Sequence, residues 1–172
     1  MDRLADEAYA AFGQIDILVN NAGKSPAIAS HEVTERQFDG IVALNFKGPF
    51  RLAANIGKRM FDADGGVIIN TSSIAATMPS PGVVPYSGAK AALNAMTVSL
   101  AAEFGPTVRV NAIQAGPFLT DISKAWPEEM RQRSNNALGR PGKPEEIITT
   151  ALYLASPASS FVTGGIYKCD GG

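Results

Sequence analysis

The stretch VIINTSSIAATMPSPGVVPYSGAKAALNAMTVSLAAEF, residues 67–104, joins a short apolar run to a long helical pattern. Residues 67–69 are consecutive branched apolar residues, which is typical of a strand buried on both faces of a parallel sheet. A proline-rich loop over residues 79–85 follows, and the pattern after it predicts a helix over residues 86–104. A buried strand that leads through a loop into a helix is the unit from which α/β folds are built.

The same alternation extends over the rest of the chain. Further buried strands are predicted at residues 15–19, 108–113 and 166–169, and further helices at residues 4–12, 35–62 and 143–155. Because helices that join parallel strands also cover the sheet, we predict one α/β domain over residues 1–172, with a doubly wound parallel sheet of about four strands. The irregular stretch over residues 117–140, with a short helix near Glu128, is predicted to be a lid over the substrate.

The composition fits one globular domain and excludes several classes of partner. The 172 residues are 45% hydrophobic, and 15 basic against 16 acidic residues leave a formal charge of -1. Without a basic excess or a long apolar run, neither nucleic acid nor a membrane is an expected partner. Cys169 is the only cysteine, so an intrachain disulfide and a cysteine-rich zinc site are excluded, and no metal site is predicted. Acidic residues at positions 2, 6 and 7 disfavour a signal peptide, and a cytoplasmic location is therefore expected.

Polar residues follow the predicted strands at three places, residues 20–23, 72–73 and 114–120. Because ligands of open α/β sheets bind outside the carboxyl ends of the strands, we expect these three loops to form one cleft. Ser72 and Ser73 are both candidates for a functional hydroxyl in this cleft. The spacing of thirteen residues to Tyr86 favours Ser73.

Tyr86 and Lys90 supply the chemistry of the expected cleft. They are four residues apart on the predicted helix, so both side chains emerge from one face. A phenol titrates near pH ~10, whereas a catalytic base works best near the operating pH, so a shift of roughly 2 to 3 units is needed. A lysine cation one turn away has the sign that lowers the pKa of Tyr86. Together with Ser73, these groups are suited to proton transfer at a carbonyl or carbinol oxygen.

Five motifs occur in the order found in one enzyme family. They are Asn20-Asn21-Ala22-Gly23, Leu44-Asn45-Phe46-Lys47-Gly48, the set of Ser73, Tyr86 and Lys90, Val108-Arg109-Val110-Asn111, and Asp170-Gly171-Gly172. On these motifs, which span essentially the whole chain, the sequence resembles the classical short-chain dehydrogenase/reductases. The resemblance implies a Rossmann-like fold and hydride transfer between NAD or NADP and a small-molecule carbonyl or alcohol substrate.

The resemblance also implies a role for each site residue. Tyr86 is implied to be the acid or base, Ser73 to hydrogen-bond the reacting oxygen, and Lys90 to bind the nicotinamide ribose and lower the pKa of the tyrosine. Asn45 is implied to kink its helix and to anchor a water that relays protons to Lys90. Two positions depart from the family pattern, because Ala115 replaces a proline and an aromatic residue at position 118 replaces a branched aliphatic one. The implied cofactor contacts are Asn20, Ala22, Gly23, Tyr86, Lys90, Gly116, Phe118 and Thr120.

The glycine-rich loop that binds a dinucleotide pyrophosphate has no counterpart in the 172 residues. Such a loop follows the first strand of a βαβ unit and opens a helix, and each glycine pair of this chain stands in another context. The resemblance therefore implies that residues 1–172 correspond to strands four to seven of the family's sheet, with roughly 60 to 80 residues upstream. Residues 15–19 then form an apolar edge of the sheet.

Three accounts of such a chain remain open. It is a truncated oxidoreductase, which we favour for its descent, or a non-catalytic oligomeric binding or scaffold subunit, or a chain that keeps weak cofactor affinity through Asn20, Tyr86, Lys90 and Thr120. For the 172 residues alone we expect little or no nicotinamide-dependent turnover. The resemblance implies a homodimer or homotetramer built on the helices that start near Glu35 and Tyr86. A small alcohol, a sugar, a steroid and an acyl carrier ketone are all compatible substrates, and NAD and NADP are both compatible cofactors.

Overall fold

Four parallel strands form the sheet of the protein, whose structure is a computed structural model that describes residues 1–172 apart from the side chain of Ala125. Their order in the sheet is their order in the chain. The predicted α/β class and the parallel sheet are confirmed. Two strands are longer than predicted because polar residues at their ends still pair, with Ser73 opposite Ala115. The strands are β1 (Ile17–Asn20), β2 (Gly66–Ser73), β3 (Val108–Ala115) and β4 (Ile166–Cys169).

The helices lie close to their predicted positions. The single helix predicted over residues 35–62 is two helices joined by one π turn, Ala43–Lys47. The fourth helix begins at Val84 with Pro85 in its first turn, where a backbone amide would have no helical partner in any case. Within the described residues, no helix is both long and apolar enough to span a lipid bilayer. The helices are α1 (Asp2–Phe12), α2 (Glu35–Val42), α3 (Gly48–Phe61), α4 (Val84–Glu103), α5 (Glu128–Gln132) and α6 (Ile148–Ala155).

A hydrophobic core lies on each face of the sheet. On one face, Ile68 of β2 packs in a cluster with Ile56 of α3 and Leu93 of α4. On the other face, Ile69 packs in a second cluster with Leu154 of α6. Each such side chain contributes about 1.5 to 3 kcal/mol when fully buried. The first cluster holds α4 against β2 and thereby fixes where the start of α4 meets the end of that strand.

The outer strand β1 departs from the prediction. The apolar run over residues 15–19 predicts burial on both faces, but Ile17 and Val19 are 46% and 51% exposed. Leu18 packs into the core beneath α3, whereas α6 lies over β2 and β3 on the other face. The prediction is wrong because an apolar run shows that a strand can be buried and does not show that a helix lies over it.

Candidate active site

The candidate site lies where β1 and β2 end and α4 begins. Gly23 follows β1, Ser73 ends β2, and Lys90 lies in the second turn of α4. A Cβ atom on Gly23 would lie 2.9 Å from Asn45 Oδ1 and 3.6 Å from Lys90 Nζ. The backbone at Gly23 is therefore in close contact with two of the predicted catalytic side chains, and a larger residue there would displace one of them.

Asn45 is fully buried in the π turn between α2 and α3. Its Nδ2 donates to the carbonyl oxygens of Ile41 and Lys24, both at 2.9 Å, and its Oδ1 accepts from the backbone N–H of Lys24 at 3.3 Å. The amide thus pairs with the loop after β1 and satisfies backbone groups that burial would otherwise penalise. A π turn lies at Asn45, and the implied kink and the implied water relay both stay predictions. Lys24 contributes only its backbone N–H and carbonyl oxygen to these hydrogen bonds, so its residue type could not predict them.

Lys90 is only 3% exposed, and its Nζ donates a hydrogen bond to the Thr71 carbonyl oxygen at 2.7 Å. Burial penalises the charged ammonium and lowers the pKa of Lys90 to about 8. The same nitrogen lies 5.7 Å from the centroid of the Tyr86 ring. An ammonium has three donors, so two remain for a ligand in the cleft.

At neutral pH the phenol of Tyr86 carries a proton that it can donate. Burial raises the pKa of Tyr86, and hydrogen bonding with the Ser73 hydroxyl opposes that rise. The expected net lowering of the pKa of Tyr86 is therefore wrong, because desolvation outweighs the groups that favour the phenolate, and the Lys90 ammonium donates to the Thr71 carbonyl. Since the ordinary value is already 10.0, the phenol is neutral at neutral pH.

The structure distinguishes the two candidate serines, because successive side chains of a strand point to opposite faces. Ser72 is 2% exposed, and its Oγ has no hydrogen-bond partner among the described residues. Ser73 is half-buried, and its Oγ accepts from the Ala75 N–H at 3.2 Å as the cap of a 3-10 turn, Ile74–Ala76. Of the two serines, only Ser73 influences the pKa of Tyr86, which its hydroxyl lowers. This geometry supports Ser73 rather than Ser72 as the functional hydroxyl.

The side chain of Asn20 forms hydrogen bonds inside the fold. It is buried, and its Nδ2 donates to Asn70 Oδ1 at 2.9 Å and to the Pro49 carbonyl at 3.4 Å. Asn70 in turn donates to Thr97 Oγ1 at 2.9 Å, so a chain of buried polar groups joins β1, β2 and α4. Asn70 and Thr97 were missed, although a polar residue in an apolar strand is a visible signal. Ala22, by contrast, is exposed beside the cleft.

The loop after β3 forms a separate group of contacts. Gly116 donates to the Cys169 carbonyl at 2.9 Å, and a Cβ there would lie 2.6 Å from Asp170 Cα. The ring of Phe118 packs where a side chain on Gly142 would otherwise lie. Thr120 is exposed and caps a 3-10 turn, Asp121–Ala125. Among the described residues, these contacts bind the loop to β4 and to residues 136–142 and include no hydrogen bond to Ser73 or Tyr86.

Acidic, histidine and cysteine side chains of the described part of the chain form no group of three or more that could hold a metal ion. A parallel sheet that gathers serine, tyrosine and lysine side chains at one end is the arrangement of a Rossmann-like oxidoreductase. A family model described as enoyl-(acyl carrier protein) reductase matches residues 1–172. The chain belongs to the short-chain dehydrogenase/reductase family.

Curated relatives and solved structures agree with this assignment. The chain is 40% identical over 163 residues to a 3alpha-hydroxysteroid dehydrogenase of Mediterraneibacter gnavus, over 93% of this chain and 65% of the relative. It is 36% identical to a 3-oxoacyl-(acyl-carrier-protein) reductase of Thermotoga maritima, over 98% of this chain and 70% of the relative. A 4-hydroxyisoleucine dehydrogenase mutant complexed with NADH and succinate superposes with a TM-score of 0.92 at 29% identity, over 99% of this chain and 72% of the other. The chain spans about two thirds of the length of these curated relatives.

Proposed function

We propose that the site interconverts a carbonyl and an alcohol by hydride transfer with NAD or NADP, and that Tyr86 is its acid and base. The observation that carries the proposal is the position of the neutral Tyr86 phenol, whose pKa the Ser73 hydroxyl lowers and whose ring centroid lies 5.7 Å from the buried Lys90 Nζ. These are the donor, the orienting group and the charge that proton transfer to a carbonyl oxygen requires. Gly23 lies next to both Asn45 and the ammonium, since a Cβ there would be 2.9 Å from Asn45 Oδ1 and 3.6 Å from Lys90 Nζ.

The residues present fit the nicotinamide end of such a cofactor. Lys90 retains two donors, which suit a pair of ribose hydroxyls, and Tyr86 lies one helical turn before it on the same face. Ala22 and Gly23 offer backbone at the same cleft, and we propose that Asn20, Gly116, Phe118 and Thr120 complete the cofactor surround. No described residues form a glycine-rich turn that opens a helix after a strand, so the pyrophosphate has no comparable set of donors.

The bound nicotinamide supplies or accepts the hydride. During reduction, Tyr86 would donate its proton to the carbonyl oxygen while Ser73 hydrogen-bonds the same oxygen. Lys90, with a pKa of about 8, is mostly charged below that pH and is the ammonium nearest to the phenolate that forms. During oxidation, the same phenolate would be the base. The raised pKa of Tyr86 keeps the phenol protonated at neutral pH, which is the form that reduction requires.

The test follows oxidation of NADH, NADPH and reduced nicotinamide mononucleotide by the protein. The mononucleotide is included because it needs only the nicotinamide-ribose part of the site. Relatives named as acting on hydroxysteroids, 3-oxoacyl thioesters and D-threitol make a steroid ketone, a 3-oxoacyl thioester and a keto sugar the suitable panel. Because the pyrophosphate has no comparable set of donors, we expect only little turnover by the 172 residues, detectable with at least one combination.

The matched variants are Tyr86→Phe, which keeps the ring, and Lys58→Met at an exposed position of α3. Tyr86→Phe should lower kcat by about 10²- to 10⁴-fold, and Lys58→Met should leave kcat unchanged. Full activity of Tyr86→Phe would remove the tyrosine from the mechanism. No turnover with any combination would favour the non-catalytic binding subunit.

We further propose that the protein is a homodimer or homotetramer built on α2, α3 and α4. Phe38, Phe50 and Val98 of these helices are 48%, 41% and 52% exposed, so each helix offers an apolar side chain to a partner subunit. Light scattering coupled to size exclusion tests this, and a monomer at micromolar concentration would contradict it. The cytoplasmic location and the lid over residues 117–140 stay predictions.

A further inference from the structure

Gln114 and Thr77 form a hydrogen bond next to the candidate site. Neither residue belongs to the family motifs. Gln114 is at the end of β3 and only 3% exposed, and its Nε2 donates to Thr77 Oγ1 at 2.7 Å. Thr77 ends the 3-10 turn that Ser73 begins, and its N–H donates to the Ile74 carbonyl at 3.0 Å. The bond therefore joins the third strand to the far end of the segment that carries the serine.

The segment from Ser73 to Thr77 is short and is held at both ends. At its start, Ser73 pairs with Ala115 in the ladder between β2 and β3. At its end, the Gln114 amide holds the Thr77 side chain. Residues 77–81 are all exposed, so the loop beyond this bond makes few packing contacts that could hold it. The bond is thus the principal polar attachment of the turn to the sheet.

We propose that Gln114 and Thr77 are positioning residues, which hold the Ser73 turn against β3 so that the Ser73 hydroxyl stays on the side of the Tyr86 phenol. This inference rests on the proposed role of Ser73 as the hydrogen-bond partner of the phenol. Loss of the bond would let the exposed loop move outward and carry the end of the turn with it. The consequence is a weaker contact between Ser73 and Tyr86 rather than a loss of the fold.

The test measures the titration of the Tyr86 phenol, which does not depend on turnover. Protein labelled with ¹³C at tyrosine Cζ gives four resonances, and Tyr86→Phe identifies the one that belongs to the site. Ser73→Ala should shift the titration of Tyr86 upward, because a hydrogen bond that opposes the effect of burial is lost. Gln114→Leu and Thr77→Val should each give at least half of that shift. Thr77→Ser, which keeps the hydroxyl, should restore the wild-type titration.

Combined variants and a control separate positioning from general destabilisation. Gln114→Leu added to Ser73→Ala should give no further shift, because both act through the same hydrogen bond. Thr97→Val removes another amide-to-threonine bond, from Asn70 at 2.9 Å, and should lower stability without moving the titration of Tyr86. Thr77 is exposed, so Thr77→Val should fold. Where turnover is measurable, Thr77→Val should lower kcat by about 10- to 100-fold with little change in the KM for the nucleotide.

Two results would overturn the inference, and they differ in what they say about the proposed function. A shift in Ser73→Ala without one in Gln114→Leu and Thr77→Val would leave Ser73 in its role and remove the positioning bond. No shift in Ser73→Ala would remove Ser73 from the proposed mechanism, and the inference would fail with it.

Discussion

Replacement of Lys90 by methionine should abolish a specific part of the pH dependence of folding. Lys90 is 3% exposed, and burial lowers its pKa from the ordinary 10.5 to about 8. Methionine has a similar length and no charge, so Lys90→Met removes the titration while it keeps most of the packing. The lost hydrogen bond to Thr71 adds an offset that does not vary with pH.

The sign and size follow from proton linkage. Because the folded pKa of Lys90 lies below the unfolded one, the unfolded chain binds more protons between about pH 8 and pH 10.5, and the free energy of unfolding rises with pH in that window. Between pH 8 and pH 9.5 this group should add about 1.5 kcal/mol, and below pH 8 its cost should level off at about 3 kcal/mol. Burial raises the pKa of Tyr86, which acts in the opposite direction only above about pH 10.

The assay is urea unfolding followed by circular dichroism at half-unit steps from pH 6.5 to 9.5. Wild type should gain about 1.5 kcal/mol relative to Lys90→Met between pH 8 and 9.5, and Lys58→Met at an exposed position should follow wild type. Parallel curves for wild type and Lys90→Met would refute the reasoning, because they would mean that the buried amine does not titrate in this window.

Four further substitutions test the packing of the site and the core. Asn45→Ala should lower the free energy of unfolding by about 1 to 3 kcal/mol, because buried backbone groups lose their partner, and unchanged urea unfolding would contradict this. Gly23→Ala should lower the melting temperature, because its Cβ would lie 2.9 Å from the Asn45 oxygen, and an unchanged melting curve would count against that contact. Gly57→Ala should destabilise α3, because its Cβ would lie 2.5 Å from the Phe104 ring, whereas Gly88→Ala in open space should stabilise α4 by about 0.5 to 1 kcal/mol. If Gly57→Ala and Gly88→Ala had equal effects on urea unfolding, position 57 could not be crowded while position 88 is open.

The local pattern of apolar and polar residues was sufficient to predict the order of the strands and helices. Apolar runs such as residues 67–69 and 108–113 mark strands because a parallel sheet is buried on both faces, and Pro85 marks the start of α4 because a helix tolerates proline only there. Pattern was not sufficient for β1, whose exposed face depends on the absence of a covering helix over Ile17 among the described residues. It was also not sufficient for the π turn at Asn45, which forms around a partner more than twenty residues away in the chain.

The residue types of the candidate site could be read from the sequence, but their electrostatics could not. Charge sign and helical spacing predict that Lys90 lowers the pKa of Tyr86. Instead, burial raises the pKa of Tyr86 and lowers that of Lys90, and Lys90 donates to the Thr71 carbonyl. Neither the burial nor this hydrogen bond can be read from the sequence. The bond from Gln114 to Thr77 could not be predicted either, since it joins a strand residue to a turn 37 residues away in the chain.

The most direct test of the central claim is transfer of deuterium from the C4 position of the reduced nicotinamide to the product carbon, measured by mass spectrometry. The donors are deuterated NADH, NADPH and reduced nicotinamide mononucleotide, with the three-ketone panel as acceptors. The account predicts deuterium at the carbinol carbon with wild type and a rate about 10²- to 10⁴-fold lower with Tyr86→Phe. Equal rates of deuterium transfer by wild type and Tyr86→Phe would contradict the assignment of Tyr86 as the proton donor.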